Sequence, residues 1–404
     1  HGQTIEKYDM TAALDDLTFK PRALEQPMQH INGLLHAVDG KLTTGHINAV
    51  FGQDEFQLVS LTVPLDDVSK KIEFRDIALS INFHQPSPHY PNGLGRVIAR
   101  LNPAGTYTLS GSYAIVYHGP NESNLVLTSD NSALAVGEQR MAITNLHADI
   151  LLGPEQAQIR KFDGTLLGGT IAGTGMVGTR HPTQYDLNLT LRNIDMQQFS
   201  TAFALPTSNQ AQLNGNADAN LLFRGVEDDL NSISGRGDLR ITDGQLWDMS
   251  LINGMASRTK IGRQALTAGE AAAMFEIANS QVQIIAAAIN SPALGLEGNG
   301  TIGFDGKIDL NVIAAPFGDW EKEFKKTGIP IVSNIAGNVA GSIQKIVNSA
   351  TSQLLYQFHV TGTIAQPQVE AVPSPMLNDA GASIFEKMRE KKESLLESLR
   401  QWRK

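Results

Sequence analysis

The chain has 404 residues, of which 41% are hydrophobic and 18% charged, and its net charge at pH 7 is −9. That length allows two or three compact domains or one long repetitive array, and a net charge of that sign gives no general attraction to nucleic acid or to anionic membrane surfaces. Cysteine is absent, which excludes disulfide frameworks, thiolate metal sites and cysteine nucleophiles.

The 37 Gly and 17 Pro lie mostly between short apolar runs, a pattern of many strands and turns. The first 30 residues are mixed and polar, and Pro21 and Pro27 argue against a long helix there. From Ile31 the pattern becomes strand-like. Ile47, Ala49 and Phe51 alternate, and Phe56 and Leu58 resume after Gly52. Ile77, Leu79, Ile81 and Phe83 point one way while Ala78, Ser80 and Asn82 point the other, the period of a half-buried strand. Residues 84–95, HQPSPHYPNGLG, form a loop. Tyr107, Leu109, Tyr113, Ile115 and Tyr117 share one parity, with Leu125 and Leu127 on the expected hairpin partner. Leu146, Ala148, Ile150 and Leu152 alternate again.

A recurring unit follows. GTGMVG at 173–178 leads into YDLNL at 185–189, and GNGTIG at 298–303 leads into IDLNV at 308–312. Asp163-Gly164, Gly168-Gly169 and Asp243-Gly244 are expected at hairpin turns. Val282, Ile284, Ala286 and Ala288 are expected on one face. Two stretches break the β pattern, and both have helical spacing: residues 247–275, and residues 331–352 with Ile335, Val339, Ile343 and Val347 on one side. Residues 378–404 are charge-rich and keep a helical apolar face. Hence the expected fold is mainly β: an elongated, curved antiparallel sheet, groove-like or taco-like, with a few amphipathic helices near the C-terminus. Its segments are 1–140, a β-rich N-terminal part; 141–377, the repeat region; and 378–404, a terminal helix.

Reactive constellations are weak. GxGxxG occurs twice, but a dinucleotide fingerprint needs a helix immediately after it, and here more strand follows. The ten histidines lack metal-ligand spacing. No GxSxG elbow is present. Arg236-Gly237-Asp238 lies in an alternating strand, and Asn121 and Asn188 open glycosylation sequons by pattern only. No catalytic, metal or cofactor-binding residue is expected, and the protein is expected not to be an enzyme. No signal peptide is visible, and the longest apolar run, Ile284 to Ile289, is far short of the ~20 residues that span a bilayer.

Small and aliphatic side chains on one face of a curved sheet make a greasy trough. Acyl chains suit such a lining because they ask for no hydrogen-bond partners. The candidate lining residues are Tyr185, Leu187, Leu189, Leu191, Leu221, Phe223, Val282, Ile284, Ile308, Leu310, Val312, Phe358 and Val360.

The run from Asn214 to Gly254 resembles the C-terminal region of the AsmA-like family of bacterial envelope proteins. Gly235, Gly237, Leu239, Ile241, Asp243, Gly244, Leu246 and Trp247 match its glycine-spaced strand, and residues 357–377 resemble its closing strand. The likeness covers about residues 143–377. It implies a relative of the repeating β-groove lipid-transfer proteins, located in the bacterial periplasm and taking part in phospholipid transport and outer-membrane biogenesis. The partners it implies are a phospholipid or other acyl-chain lipid, the inner membrane through an N-terminal anchor upstream of His1, and an envelope protein; nucleic acid is not among them. The competing expectation is an assembly factor for outer-membrane proteins that works through protein–protein contacts.

Overall fold

The computed structural model describes residues 8–20, 26–65, 71–85, 90, 98–136, 140–179, 182–202, 214–227, 229–244, 269–290, 294–316, 356–364 and 366–372. The chain divides into two compact units, His1–Leu187 and Asn188–Lys404. Each is mainly β, an open, curved, antiparallel sheet.

The first unit holds β1 (Asp9–Phe19), β2 (Met28–Val38), β3 (Lys41–Phe51), β4 (Asp54–Pro64), β5 (Lys71–Phe83), β6 (Gly105–Val116), β7 (Glu122–Val136), β8 (Met141–Leu152), β9 (Gln156–Leu166) and β10 (Gly169–Gly178). Each pairs with the next in chain order. Strand β11 (Gln184–Asp195) carries the boundary between the units. The second unit continues with a short helix, α1 (Met196–Ala202), and β12 (Asn216–Val226), β13 (Asp229–Gly244), β14 (Gly269–Ala278), β15 (Gln281–Asn290), β16 (Leu294–Gly303), β17 (Ile308–Pro316), β18 (Tyr356–Gly362) and β19 (Pro367–Val372). From β12 to β19 the pairing is again sequential and antiparallel.

Short turns make this order possible. Asp39 and Gly40 both take positive φ between β2 and β3, as do Leu167 and Gly168 between β9 and β10. That backbone matches the twist of a two-residue hairpin. Asn279 and Ser280 make the same turn between β14 and β15 without any glycine.

Three expectations are corrected. The helix expected over 247–275 fails at its C-terminal end, because residues 269–275 belong to β14. Alanine favours a helix by only a few tenths of a kcal/mol over most residues. Here Ala271, Ala272 and Ala273 hold register with β13 on one side and β15 on the other, and Met274 is buried. Ladder bonds on both edges outweigh so small a preference. Residues 247–268, 331–352 and 378–404 lie outside the described residues. Second, Asp163-Gly164 is inside β9, not at a turn. A Cβ on Gly164 would lie 2.7 Å from Ile143 Cγ2, so the glycine serves the close approach of β8. Third, Val282 and Ile284 do not share a face with Ala286 and Ala288. Phe275 pairs with Ile284 and Met274 with Ala286, so Ile285 is a bulge. A bulge adds one residue and switches the alternation beyond it.

The two GxGxxG stretches lie within strands. Gly300, in β16, has φ +144°, and a Cβ there would come within 2.1 Å of the Asp309 carbonyl oxygen. We expect Gly300→Val to lower stability by about 2–4 kcal/mol, since both a backbone clash and a strained φ oppose it. Gly45, in β3, has nothing within 4 Å of its Cβ position, and Gly45→Ala is expected to change stability by less than about 0.5 kcal/mol. Urea midpoints of the two variants test the contrast; equal shifts would refute the assignment of Gly300 to close approach.

Candidate functional site: an apolar sheet face

Paired residues in neighbouring antiparallel strands lie side by side on one face. The register therefore decides which side chains meet. In the first unit one row of pairs runs Ile47, Leu58, Leu79, Leu109, Leu127, Ile150, Ile159 and Gly175, from β3 to β10. A second runs Ala49, Phe56, Ile81, Tyr107, Ser129, Ala148, Phe162 and Gly173. At about 4.8 Å per strand each row follows the sheet for roughly 34 Å. Leu58, Leu79, Leu109, Leu127, Ile150 and Ile159 are all half-buried. Each of them keeps part of its surface exposed.

The opposite face is polar. His147 sits 2.9 Å from Asp130 and 3.4 Å from Asp163, and Lys161 pairs with Asp163 at 2.8 Å. The Lys161 hydrogen bond holds the Asp163 carboxyl below its ordinary range. Gln57, Thr108 and Thr128 are exposed on this face.

Ser129 is the polar intruder in the apolar rows. It is buried, donates to the Leu146 carbonyl at 2.9 Å, and hydrogen-bonds with Ser132. Those partners remove the cost of burying its hydroxyl.

One edge of this face is closed. Phe51, Tyr90 and Ile98 form a buried cluster with Met28, Phe56 and Phe83 against it. Phe51 and Tyr90 have ring centroids 5.2 Å apart, and Phe83 meets Tyr107 edge-on at 5.6 Å. Asp54, fully buried, fastens Tyr90 there. Its carboxylate accepts from the His84 backbone N–H at 2.7 Å and from the Tyr90 hydroxyl. Burial first, and the Asp54 carboxylate second, push the Tyr90 hydroxyl well above the ordinary tyrosine range. At the other strand ends Phe74 stacks on Tyr113, Ile115 is exposed, and Tyr117 is 47% exposed just beyond.

The second unit repeats the arrangement. Phe223, Gly235, Ile277, Val282, Ile302 and Ile308 form one row. Leu221, Gly237, Phe275, Ile284, Gly300, Leu310 and Val360 form the next. Ala287, Gly298, Val312 and Phe358 continue a third. The register thus brings the sequence candidates from β12 onward, namely Leu221, Phe223, Val282, Ile284, Ile308, Leu310, Val312, Phe358 and Val360, to one face. Tyr185, Leu187, Leu189 and Leu191 alternate along β11 and are half-buried. In the first unit Leu187 overlies Gly175, where a Cβ would lie 2.7 Å from Leu187 Cδ2.

Their exposure divides them. Leu221, Phe223, Val282 and Ile284 are half-buried, whereas Ile308, Leu310, Val312, Phe358 and Val360 are buried. The apolar face of the second unit is therefore partly open over β12–β15 and shut at β17–β18. Glycines shape it: a Cβ on Gly237 would fall 2.8 Å from both Leu221 Cδ2 and Phe275 Cζ. Those side chains spread over the glycine. Arg236-Gly237-Asp238 is thus a strand interior, with Asp238 accepting from Asn220 Nδ2 at 2.9 Å. Desolvation holds the Asp238 carboxyl above its ordinary value. Asn220 in turn accepts from Arg192 at 2.9 Å, so the polar side chains link across β11, β12 and β13.

Sequence reading selected no residue from the first unit's rows before Tyr185, although their alternation was visible. What it lacked was the register that aligns them. The Asp54–Tyr90 lock had no signal, since neither residue belongs to a periodic pattern. Among the described residues no group of three or more His, Asp or Glu side chains is placed to hold a metal ion, and no helix is long and apolar enough to cross a membrane. No protein-family model matches the chain, and no curated protein matches it.

Proposed function

We propose that this is a non-enzymatic protein of the bacterial envelope whose apolar sheet face is a groove for the acyl chains of phospholipid. It carries or conducts lipid between the inner and outer membranes and so supports outer-membrane biogenesis, in the manner of the AsmA-like proteins its sequence resembles. An N-terminal anchor in the inner membrane and a periplasmic location belong to the same reading. The observation that carries it is the run of half-buried aliphatic side chains in register from β3 to β9. A contiguous apolar surface of this extent is costly in water unless something covers it. An alkyl chain covers it at a gain of about 0.8 kcal/mol per buried methylene.

Native mass spectrometry of the protein purified gently from a bacterial envelope is expected to give phospholipid at one or more copies per chain. A clean lipid-free mass from folded protein would sink this reading. The second reading, an assembly factor for outer-membrane proteins, draws on β1, where Met10, Leu17 and Phe19 are 66%, 47% and 60% exposed. Such a strand suits pairing with an added strand from a partner. A stoichiometric protein in place of lipid would favour it.

A further inference from the structure

Glu297 stands apart from every other acid described. It lies in β16, its side chain is on the face opposite the proposed groove, and it is 3% exposed. Neither carboxylate oxygen has a hydrogen-bond partner. Its cross-strand neighbours are Ala288 on β15 and Ile313 on β17. Beyond them in the same row stand Ala272 on β14 and Gln357 on β18. Leu296, the preceding residue, points the other way and is also 3% exposed. At Leu296 and Glu297 both faces of β16 are therefore covered, with a carboxyl group inside one of them.

Among the described residues, the charged groups on that face have other partners or lie in water, and Arg236 on β13 is likewise engaged. Arg240 on β13 faces Glu270 on β14 at 3.4 Å, and His359 on β18 faces Asp309 on β17 at 2.7 Å. Asp238 on β13 bonds Asn220, and Glu276 on β14 and Glu370 on β19 are exposed. None of them is bonded to Glu297. An ionised carboxylate without a partner is expensive in such a place, and it escapes either by taking a proton or by leaving.

We propose that Glu297 is a proton-operated latch: protonated, it keeps its buried place and the β15–β17 part of the sheet stays closed; ionised, it moves to water and that part opens on the Glu297 face. The direction follows from linkage. Burial raises the carboxyl of the closed form to about 7 from its ordinary 4.5. The closed form is therefore favoured below the lower value, loses ground as pH rises between the two, and loses no more above about 7. The latch concerns the face away from the proposed groove and does not depend on lipid binding.

Hydrogen exchange of β15–β17 in the full chain, corrected for the intrinsic pH dependence of exchange, tests it. In the wild type the opening constant is expected to rise about tenfold or more from pH 5 to pH 7.5 and then to level off. In Glu297→Gln it is expected to stay flat and closed throughout. The same slope in both proteins would overturn the latch. Should Glu297→Gln fail to fold, carboxyl ¹³C titration of the wild type decides: a Glu297 midpoint near 7 supports the latch, and one below 5 overturns it.

Discussion

Leu127→Asp in the first unit, and Ile284→Asp in the second, are expected to reduce co-purified phospholipid at least about tenfold. Each residue sits half-buried in the middle of an apolar row, Leu127 between Leu109 and Ile150, and Ile284 between Phe275 and Gly300. A carboxylate there keeps its hydration shell and denies the row to an alkyl chain. The lost contact is worth about 1.5–3 kcal/mol for a leucine-sized side chain, before the repulsion of a charge from hydrocarbon is added. Gln57→Asp, exposed on the polar face of β4, is the matched control and is expected to leave lipid content unchanged. Circular dichroism and a cooperative melt must show that the variants fold. Full lipid retention in folded Leu127→Asp and Ile284→Asp would remove the groove from the proposed function and favour the assembly-factor reading.

The second large effect is expected at Asp54. Its carboxylate accepts two hydrogen bonds at zero exposure, from the His84 backbone and the Tyr90 hydroxyl. Asp54→Ala strands both donors beside the cluster of Phe51, Tyr90 and Ile98, and stranded donors cost about 1–3 kcal/mol each. A loss of about 2–5 kcal/mol in the first unit is expected from urea denaturation. Tyr90→Phe removes one donor and keeps the ring against Phe51 and Phe83, and about 1–2 kcal/mol is expected. The two changes share one contact, so the double variant should be less destabilised than the sum of the singles. Strict additivity would show that the Asp54–Tyr90 bond does not hold the cluster in place.

The strands were legible where period alone decides. Ile77 to Phe83 and Tyr185 to Leu191 alternate without interruption, and they are β5 and β11. Apolar side chains at every second position leave only one way to bury a face. Reading failed where a neighbouring strand decides. Whether Gly164 turns or continues depends on Ile143 of β8, 21 residues earlier, not on Asp163 beside it. The bulge at Ile285 is invisible in QVQIIAAAIN, because every residue from Ile284 to Ile289 is apolar and no polar position marks the switch. The alanines of β14 satisfy a helix as well as a strand until β13 and β15 are in place. The candidate lining from β12 onward was legible as residues but not as a surface. The same alternation that selects Phe358 and Val360 cannot tell an open position from a closed one, and these two prove to be among the most buried side chains described.

The sequential pairing within each unit has an evolutionary consequence. A strand that touches only its predecessor and successor can be duplicated together with its hairpin mate, and the rest of the ladder closes up around the insertion. Each such duplication would lengthen the surface by about 10 Å, two strand spacings, and leave its cross-section and chemistry unchanged. Reach then becomes a quantity that gene duplication adjusts in fixed steps. The paired GTGMVG…YDLNL and GNGTIG…IDLNV segments have the form such a history would leave behind.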